Sequence, residues 1–182
     1  MKRKMILPIA LILVLVAFFS TAALPQKSLP LGDTQITFEK AMEIASARVG
    51  GGIIKEIEWE RKSDGRFLYE IEIYHDGMKY EIKSDAVTGE IINVKKESKR
   101  FIFAPPNGLP PAQVTSARSV EFAEIARAQT GGGIIREIKW EIEKEQLICE
   151  IEITNGERDF EFKFDAATGE IIKSKSKLNQ NR

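Results

Sequence analysis

The sequence is poor in the residue types that build reaction centres, and this shortage limits the functions it can have. Among 182 residues there is one cysteine, Cys149, and one histidine, His75. Metal sites normally need several such ligands, and a lone cysteine cannot form a disulfide within the chain. His75 lies next to Asp76-Gly77 without a visible nucleophile or orienting group, so we interpret it as a solvated turn residue. The sequence therefore predicts no catalytic residue, no metal and no cofactor.

The chain also has no excess of charge of either sign. Lysine and arginine together number 27, and so do aspartate and glutamate. Nucleic-acid binding requires a basic face, so this balance argues against a nucleic-acid partner. It suits a mixed-charge surface exposed to water.

A long apolar run is confined to the N terminus. Basic residues at positions 2–4 precede an apolar stretch from Met5 to Phe19, and small residues follow up to Ala23. We predict that residues 1–23 are a signal peptide cleaved after Ala23. The alternative is an uncleaved anchor, because the run is nearly long enough to span a bilayer. In both cases the positive flank stays inside, which predicts an extracytoplasmic protein, secreted or held at the cell surface.

The rest of the chain repeats itself. Gly50–Glu60 returns as Gly131–Glu141 with nine of eleven positions identical, and Asp85–Ile92 returns as Asp165–Ile172 with one change. The offset is 81 residues for the first pair and 80 for the second. Solenoid repeats are shorter, roughly 20–50 residues. The pattern therefore indicates duplication of a small domain.

This duplication divides the chain into three parts after the N-terminal segment. We assign residues 36–97 to a first repeat and residues 115–176 to a second. Residues 98–114 form a linker that holds four of the seven prolines, which restricts its flexibility.

Each repeat begins with a helical pattern and continues with strands. Apolar residues recur at helical spacing from Thr37 to Val49 and from Ser116 to Thr130, and Gly50 is expected to end the first helix. The period-two alternation that follows is typical of an antiparallel sheet with one wet face. We predict an α+β fold with two copies of a helix packed on an antiparallel sheet of about four strands. A domain of roughly 60 residues is marginal alone, so the copies should touch, edge to edge or face to face.

The two faces of the predicted sheet differ in character. We assign Cys149 to the buried face, together with the isoleucines Ile92, Ile142 and Ile172. The other face is rich in glutamate, including Glu58 and its neighbours. Acid–base catalysis needs carboxylates with separated pKa values, which a flat, wet face does not provide, so we expect glutamate–lysine pairing there instead.

Turn signals between the strands mark the exposed loops. An Asp-Gly or Asn-Gly pair between alternating segments is typical of a β-hairpin. Such loops are our candidates for contact with a partner protein, because hairpin tips can enter clefts. The residues that we assign to this contact are Asp64, Gly65, His75, Asp76, Gly77, Asn155 and Gly156.

The repeated motifs resemble the PepSY domain. Each copy has an Ile-Ala pair in its helix, a glycine-rich turn and a closing Asp-Ala-x-Thr-Gly-Glu, at Asp85–Glu90 and Asp165–Glu170. The resemblance covers about residues 37–97 and 117–175. It implies a helix on a curved, cystatin-like antiparallel sheet. It also implies a non-catalytic module that binds or restrains a peptidase, which here would be a separate protein.

Together these observations predict an exported, non-catalytic tandem PepSY protein. Its partner is expected to be another extracytoplasmic protein such as a peptidase, which it would bind and inhibit. The alternative is a membrane-anchored scaffold or sensor at the cell surface with no link to a peptidase. A membrane enters either hypothesis only through an uncleaved N-terminal segment.

Overall fold

The computed structural model describes residues 35–98 and 116–179. The predicted signal peptide with its cleavage site at Ala23 lies outside the described residues, as does all but the first residue of the predicted linker. The elements in chain order are α1 (Phe38–Val49), β1 (Ile53–Arg61), β2 (Phe67–His75), β3 (Met78–Asp85), β4 (Ile91–Ser98), α2 (Ser116–Thr130), β5 (Ile134–Glu143), β6 (Gln146–Thr154), β7 (Arg158–Asp165) and β8 (Ile171–Leu178).

The two helices begin and end where their sequences predict. The side chain of Thr37 accepts a hydrogen bond from the backbone N–H of Lys40 at 3.2 Å and so caps α1. Gly50 ends the helix in the left-handed conformation, with φ of 89°. The residues that the two helices bury are Phe38, Ala41, Met42 and Ala45 in α1, and Ser119, Phe122, Ala123 and Ala126 in α2.

All eight strands belong to one antiparallel sheet in the order β4-β3-β2-β1-β5-β6-β7-β8. The prediction of a separate sheet of about four strands for each copy is therefore corrected: each copy contributes four strands to a shared sheet. The copies touch edge to edge rather than face to face. The physical reason lies in β1 and β5, which would each be an unpaired edge in an isolated repeat. Their pairing satisfies backbone groups on both strands and removes two of four edges.

The junction between the repeats has local twofold symmetry. Ile57 of β1 lies opposite Ile138 of β5, and these two residues are equivalent in the repeat. On either side Glu56 lies opposite Lys139 and Glu58 opposite Glu137. Both isoleucines are buried with 1% exposure. The axis that relates the copies therefore passes between the two isoleucines, at the centre of the sheet.

A glycine is required where each helix turns into its first strand. A Cβ atom on Gly52 would lie 2.6 Å from the carbonyl oxygen of Tyr74, and one on Gly133 would lie 2.8 Å from that of Thr154. Both glycines have positive φ, 116° and 135°. The turn thus needs glycine for close approach of the backbones as well as for its φ angle.

Several apolar residues are more exposed than the alternation predicts. Ile92 and Ile172 are 48% and 51% exposed because β4 and β8 are outermost strands with one neighbour each. Ile142 is 42% exposed beside the β5–β6 hairpin. Conversely Leu68 is only 5% exposed although it lies on the polar side of β2.

Cys149 is fully buried and free, as predicted. Burial raises the pKa of its thiol well above the ordinary value, which disfavours the reactive thiolate. In the described ranges, neither helix combines the length and apolar character that crossing a bilayer requires.

Candidate functional site

The three predicted contact loops lie at both ends of the sheet. Because β1 and β6 run in the same direction, the turn holding Asp64 and Gly65 and the turn holding Asn155 and Gly156 lie at one end. The turn after β2 lies at the other. Asp64, Gly65, Asp76 and Gly77 are exposed, whereas Asn155 and Gly156 are half-buried. A single partner surface at one end could reach two of these loops.

His75 packs on the glycine-rich turn that follows α1. A Cβ atom placed on Gly50 would lie 3.6 Å from His75 Nε2. The same nitrogen lies 3.4 Å from Asp76 Oδ2. His75 is the last residue of β2, opposite Met78, and its side chain is half-buried. It therefore borders the turn and is less exposed than the solvated turn residue that the sequence predicts.

Glutamates form a continuous row across the polar face of the sheet. Each member lies directly opposite the next on the neighbouring strand. A lysine closes each end of the row, Lys83 on β3 and Lys175 on β8. The five glutamates, from β2 to β7, are Glu70, Glu58, Glu137, Glu152 and Glu161. Like charges directly opposite one another repel, so the middle of this row is electrostatically unfavourable.

Glu137 is the middle glutamate of the row and lies beside the junction of the repeats. Burial raises its pKa, the carboxylates of Glu56 and Glu152 raise it further, and it reaches about 7. Its own neighbour Lys139 is 4.0 Å away, at the limit of an ion pair. The pKa of Glu58 is also raised, by burial and then by Glu60 and other nearby carboxylates.

Glu70 in the same row has the opposite behaviour. Burial would raise its pKa, but hydrogen bonds from the ammonium groups of Lys62 and Lys83 lower it to about 2. The polar face therefore does separate the pKa values of its carboxylates, contrary to the prediction for a flat, wet surface. The cause is uneven pairing, because Glu70 contacts two lysines, whereas the nearest lysine to Glu137 is Lys139 at 4.0 Å.

One group of carboxylates in the second repeat has the spacing of a metal site. Ligand oxygens of Glu141, Glu143 and Glu150 lie within 4.8 Å of one another. The ammonium of Lys163 lies among them, 2.9 Å from Glu141 Oε1 and 2.8 Å from Glu150 Oε2, and it also bonds Glu143. Burial alone would lower the pKa of Lys163, but these carboxylates raise it above the ordinary value. The Lys163 ammonium therefore already occupies the position that a metal ion would take among these three carboxylates.

The corresponding group in the first repeat is balanced differently. Lys62 stands where the second repeat has Glu143, and it pairs with Glu60 and with Glu70 at 2.8 Å. Lys83, equivalent to Lys163, also pairs with Glu70. Aligning the two repeats shows that every member of one group has a counterpart in the other, but the strand register is what brings the members together.

Comparison with known proteins identifies the family. The sequence pattern of PepSY, described as "Peptidase propeptide and YPEB domain", matches residues 35–95 and 123–175. These two regions cover more than half of the chain and coincide with the two repeats. The chain belongs to the PepSY family, and it carries two copies of the domain.

Solved structures give more distant likenesses. A candidate lipoprotein from Clostridium difficile 630 is 19% identical, with a TM-score of 0.48, over 81% of this chain and 97% of that one. The Bacillus megaterium YpeB C-terminal domain is 14% identical, with a TM-score of 0.33, over 81% of this chain and 68% of that one. No curated protein matches the chain.

Proposed function

We propose that this chain is an extracytoplasmic protein that binds and restrains another extracytoplasmic protein, such as a peptidase, without catalysing a reaction itself. The observation that carries the proposal is that both repeats belong to a family whose description names peptidase propeptides. Restraint of this kind needs contact with the partner and no catalytic residue. Two copies joined in one sheet would present such contacts from one continuous surface.

The exposed hairpins supply a physical route for that contact. Asp64 and Gly65 project at one end of the sheet beside the β6–β7 turn, and Asp76 projects at the other. Hairpin tips can enter clefts, and sheet edges can pair with extended segments. Glu70 and Glu137, the two carboxylates whose pKa values are shifted furthest in opposite directions, lie on the broad polar face of the sheet.

The N-terminal sequence supports the extracytoplasmic location. Its basic start, apolar run and small residues before Leu24 have the order of a signal peptide. Export places the repeats in the compartment where a secreted peptidase would be met.

The test uses the mature chain from Leu24 and secreted peptidases from the same organism. We expect at least one peptidase to co-elute with the chain in size-exclusion chromatography and to cleave its substrate more slowly as the chain is added. Replacing Asp64 and Arg66 by alanine should weaken this effect if the β1–β2 hairpin makes the contact. Replacing Lys40 and Glu43, an exposed ion pair on α1 outside the predicted contact loops, serves as the matched control. No complex and no slowed cleavage with any peptidase would contradict the proposal.

A second candidate is a scaffold or sensor held at the cell surface by its N-terminal segment. The length of the apolar run before Ala23 favours it. N-terminal sequencing of the exported protein separates the two candidates. A start near Leu24 removes the anchored form, whereas recovery of the intact N terminus in the membrane fraction supports it.

A further inference from the structure

Strand β8 is an outermost strand with an unusual charge. Its sequence contains Lys173, Lys175 and Lys177 and no acidic residue. These lysines lie opposite Lys163, Glu161 and Asp159 of β7 and so face the polar side of the sheet. Beyond β8 no strand follows in the sheet that the structure describes. Among the described residues, its outer backbone N–H and C=O groups have no partner strand, and such groups can pair with an added strand.

The three lysines of β8 outnumber the carboxylates that form ion pairs with them. Glu161 is shared by Lys173, at 3.1 Å, and Lys175, at 3.6 Å. No carboxylate lies within 4.0 Å of Lys177 in the part of the chain that the structure describes. The side chain of Lys175 is 59% exposed. Positive charge thus remains available along the edge.

Exposed apolar residues stand at both ends of the same strand. Ile171 and Ile172 are 36% and 51% exposed at its start, and Leu178 is 68% exposed at its end. These three account for half of the six exposed large apolar residues in the described ranges. Lysines on an edge strand hinder its pairing with similar edges. They do not cover the exposed apolar residues at its two ends, of which Leu178 has only Ser98 as its counterpart on β4. These apolar residues can anchor a bound segment.

The charge of β8 also selects what can pair with it. In a symmetric antiparallel pair with a second copy of β8, lysines would lie on the same face as lysines and would repel. A segment with carboxylates at every second position would instead place them opposite the lysines.

We propose that β8 binds an extended segment of a partner protein as a ninth strand, and that this segment has acidic residues at alternate positions with apolar residues at its ends. The inference extends the proposed function, on which it rests, by giving the chemistry of the partner. Backbone hydrogen bonds along the edge supply affinity in this mode of binding, and the alternating side chains supply specificity.

The first repeat provides a matched control strand. β4 is equivalent to β8 and forms the opposite edge of the sheet. Its polar-face positions hold Asn93, Lys95 and Glu97, so its charge is mixed. Replacing Lys173 by asparagine and Lys177 by glutamate gives β8 the polar-face pattern of β4 at exposed or half-exposed positions. The variant should fold because the same residues are already accommodated at the other edge.

The experiment measures binding of labelled peptides to the full mature chain by fluorescence anisotropy at low ionic strength. The probe is a peptide in which glutamate alternates with valine and leucine stands at each end. One comparison peptide has lysine in place of glutamate, and another has the same composition with its glutamates grouped together. We expect the alternating acidic peptide to bind best, and Lys173→Asn with Lys177→Glu to weaken it by roughly tenfold. Lys95→Ser with Lys96→Ser on β4 should leave binding unchanged.

In the peptide assay, three results would overturn the inference: no binding of the acidic peptide, equal binding of the lysine peptide, or equal binding by the β8 variant. A partner complex that survives the β8 substitutions would also overturn it and leave the proposed function standing. Normal peptide binding without any complex in the peptidase assay would contradict the proposed function alone.

Discussion

Trp140 donates a hydrogen bond from its indole Nε1 to the hydroxyl oxygen of Ser119 at 3.0 Å, inside the core of the second repeat. The equivalent Trp59 of the first repeat has no such partner, since its Nε1 is buried without a hydrogen bond among the described residues. The difference arises from one position in the helix, where Phe38 replaces serine. The phenylalanine ring packs edge-on against Tyr69 at 5.6 Å instead.

This difference predicts unequal costs for the same substitution. Trp140→Phe should lower the free energy of unfolding by roughly 1–2 kcal/mol more than Trp59→Phe. Both variants lose the same ring atoms, but only the first loses a hydrogen bond and leaves a buried hydroxyl unpaired. Urea unfolding of the two variants measures the difference. As a control, Ser119→Ala should be costly in the wild-type chain and nearly neutral with Trp140→Phe. Equal losses from both tryptophans would contradict this account.

The raised pKa of Glu137 predicts that the stability of the junction between the repeats depends on pH. It faces Glu58 and Glu56 on β1 and Glu152 on β6, with Lys139 on its own strand. Its folded-state pKa of about 7 exceeds the ordinary value of 4.5. Because the folded chain holds this proton more tightly, the resulting stability is complete below about pH 4.5 and is lost as pH rises through about 7.

Glu137→Gln should remove this dependence. The variant is expected to gain stability on the order of 1 kcal/mol over the wild type above about pH 8. Chemical unfolding across the pH range measures the effect, and Glu157→Gln in the exposed β6–β7 turn serves as the control. A stability profile that Glu137→Gln leaves unchanged would show that the carboxyl is not perturbed in the folded chain.

Replacing glycine by alanine should lower stability by different amounts in different turns. Gly65→Ala should cost about 1–2 kcal/mol, because its φ of 86° is left-handed, although no atom lies within 4 Å of the added methyl group. Gly52→Ala should cost more, since its methyl group would meet the backbone oxygen of Tyr74 at 2.6 Å. Thermal unfolding of both variants provides the comparison. Similar melting temperatures would mean that the backbones do not approach as closely as the structure shows.

The sequence predicts features that depend on neighbouring residues. The helix from Phe38 to Val49, its cap at Thr37 and the helix from Ser116 to Thr130 follow from local periodicity and capping. The hairpin turns follow from Asp-Gly and Asn-Gly pairs. The burial of Cys149 follows from its place in an alternating strand.

Features that depend on pairing across the duplication could not be predicted in the same way. Nothing local to Ile57 or Ile138 indicates that they lie opposite one another, because the same alternation would suit face-to-face packing. The row of glutamates and the high pKa of Glu137 follow only from that register. Likewise the exposure of Ile142 and Ile172 depends on which strands lack a neighbour or end in a hairpin.

The central claim is that β1 and β5 join the repeats in one continuous sheet, which fixes the positions of the hairpins and of β8. Glu58 and Glu137 lie directly opposite one another across this junction, whereas Glu152 lies one strand further. Directly opposite residues have Cα atoms about 4.5–5.5 Å apart, within the range of a disulfide. In a chain with Cys149→Ala, Glu58→Cys with Glu137→Cys should therefore form an intramolecular disulfide under mild oxidation, and Glu58→Cys with Glu152→Cys should not. Failure of the first pair, or equal cross-linking of both, would contradict the account.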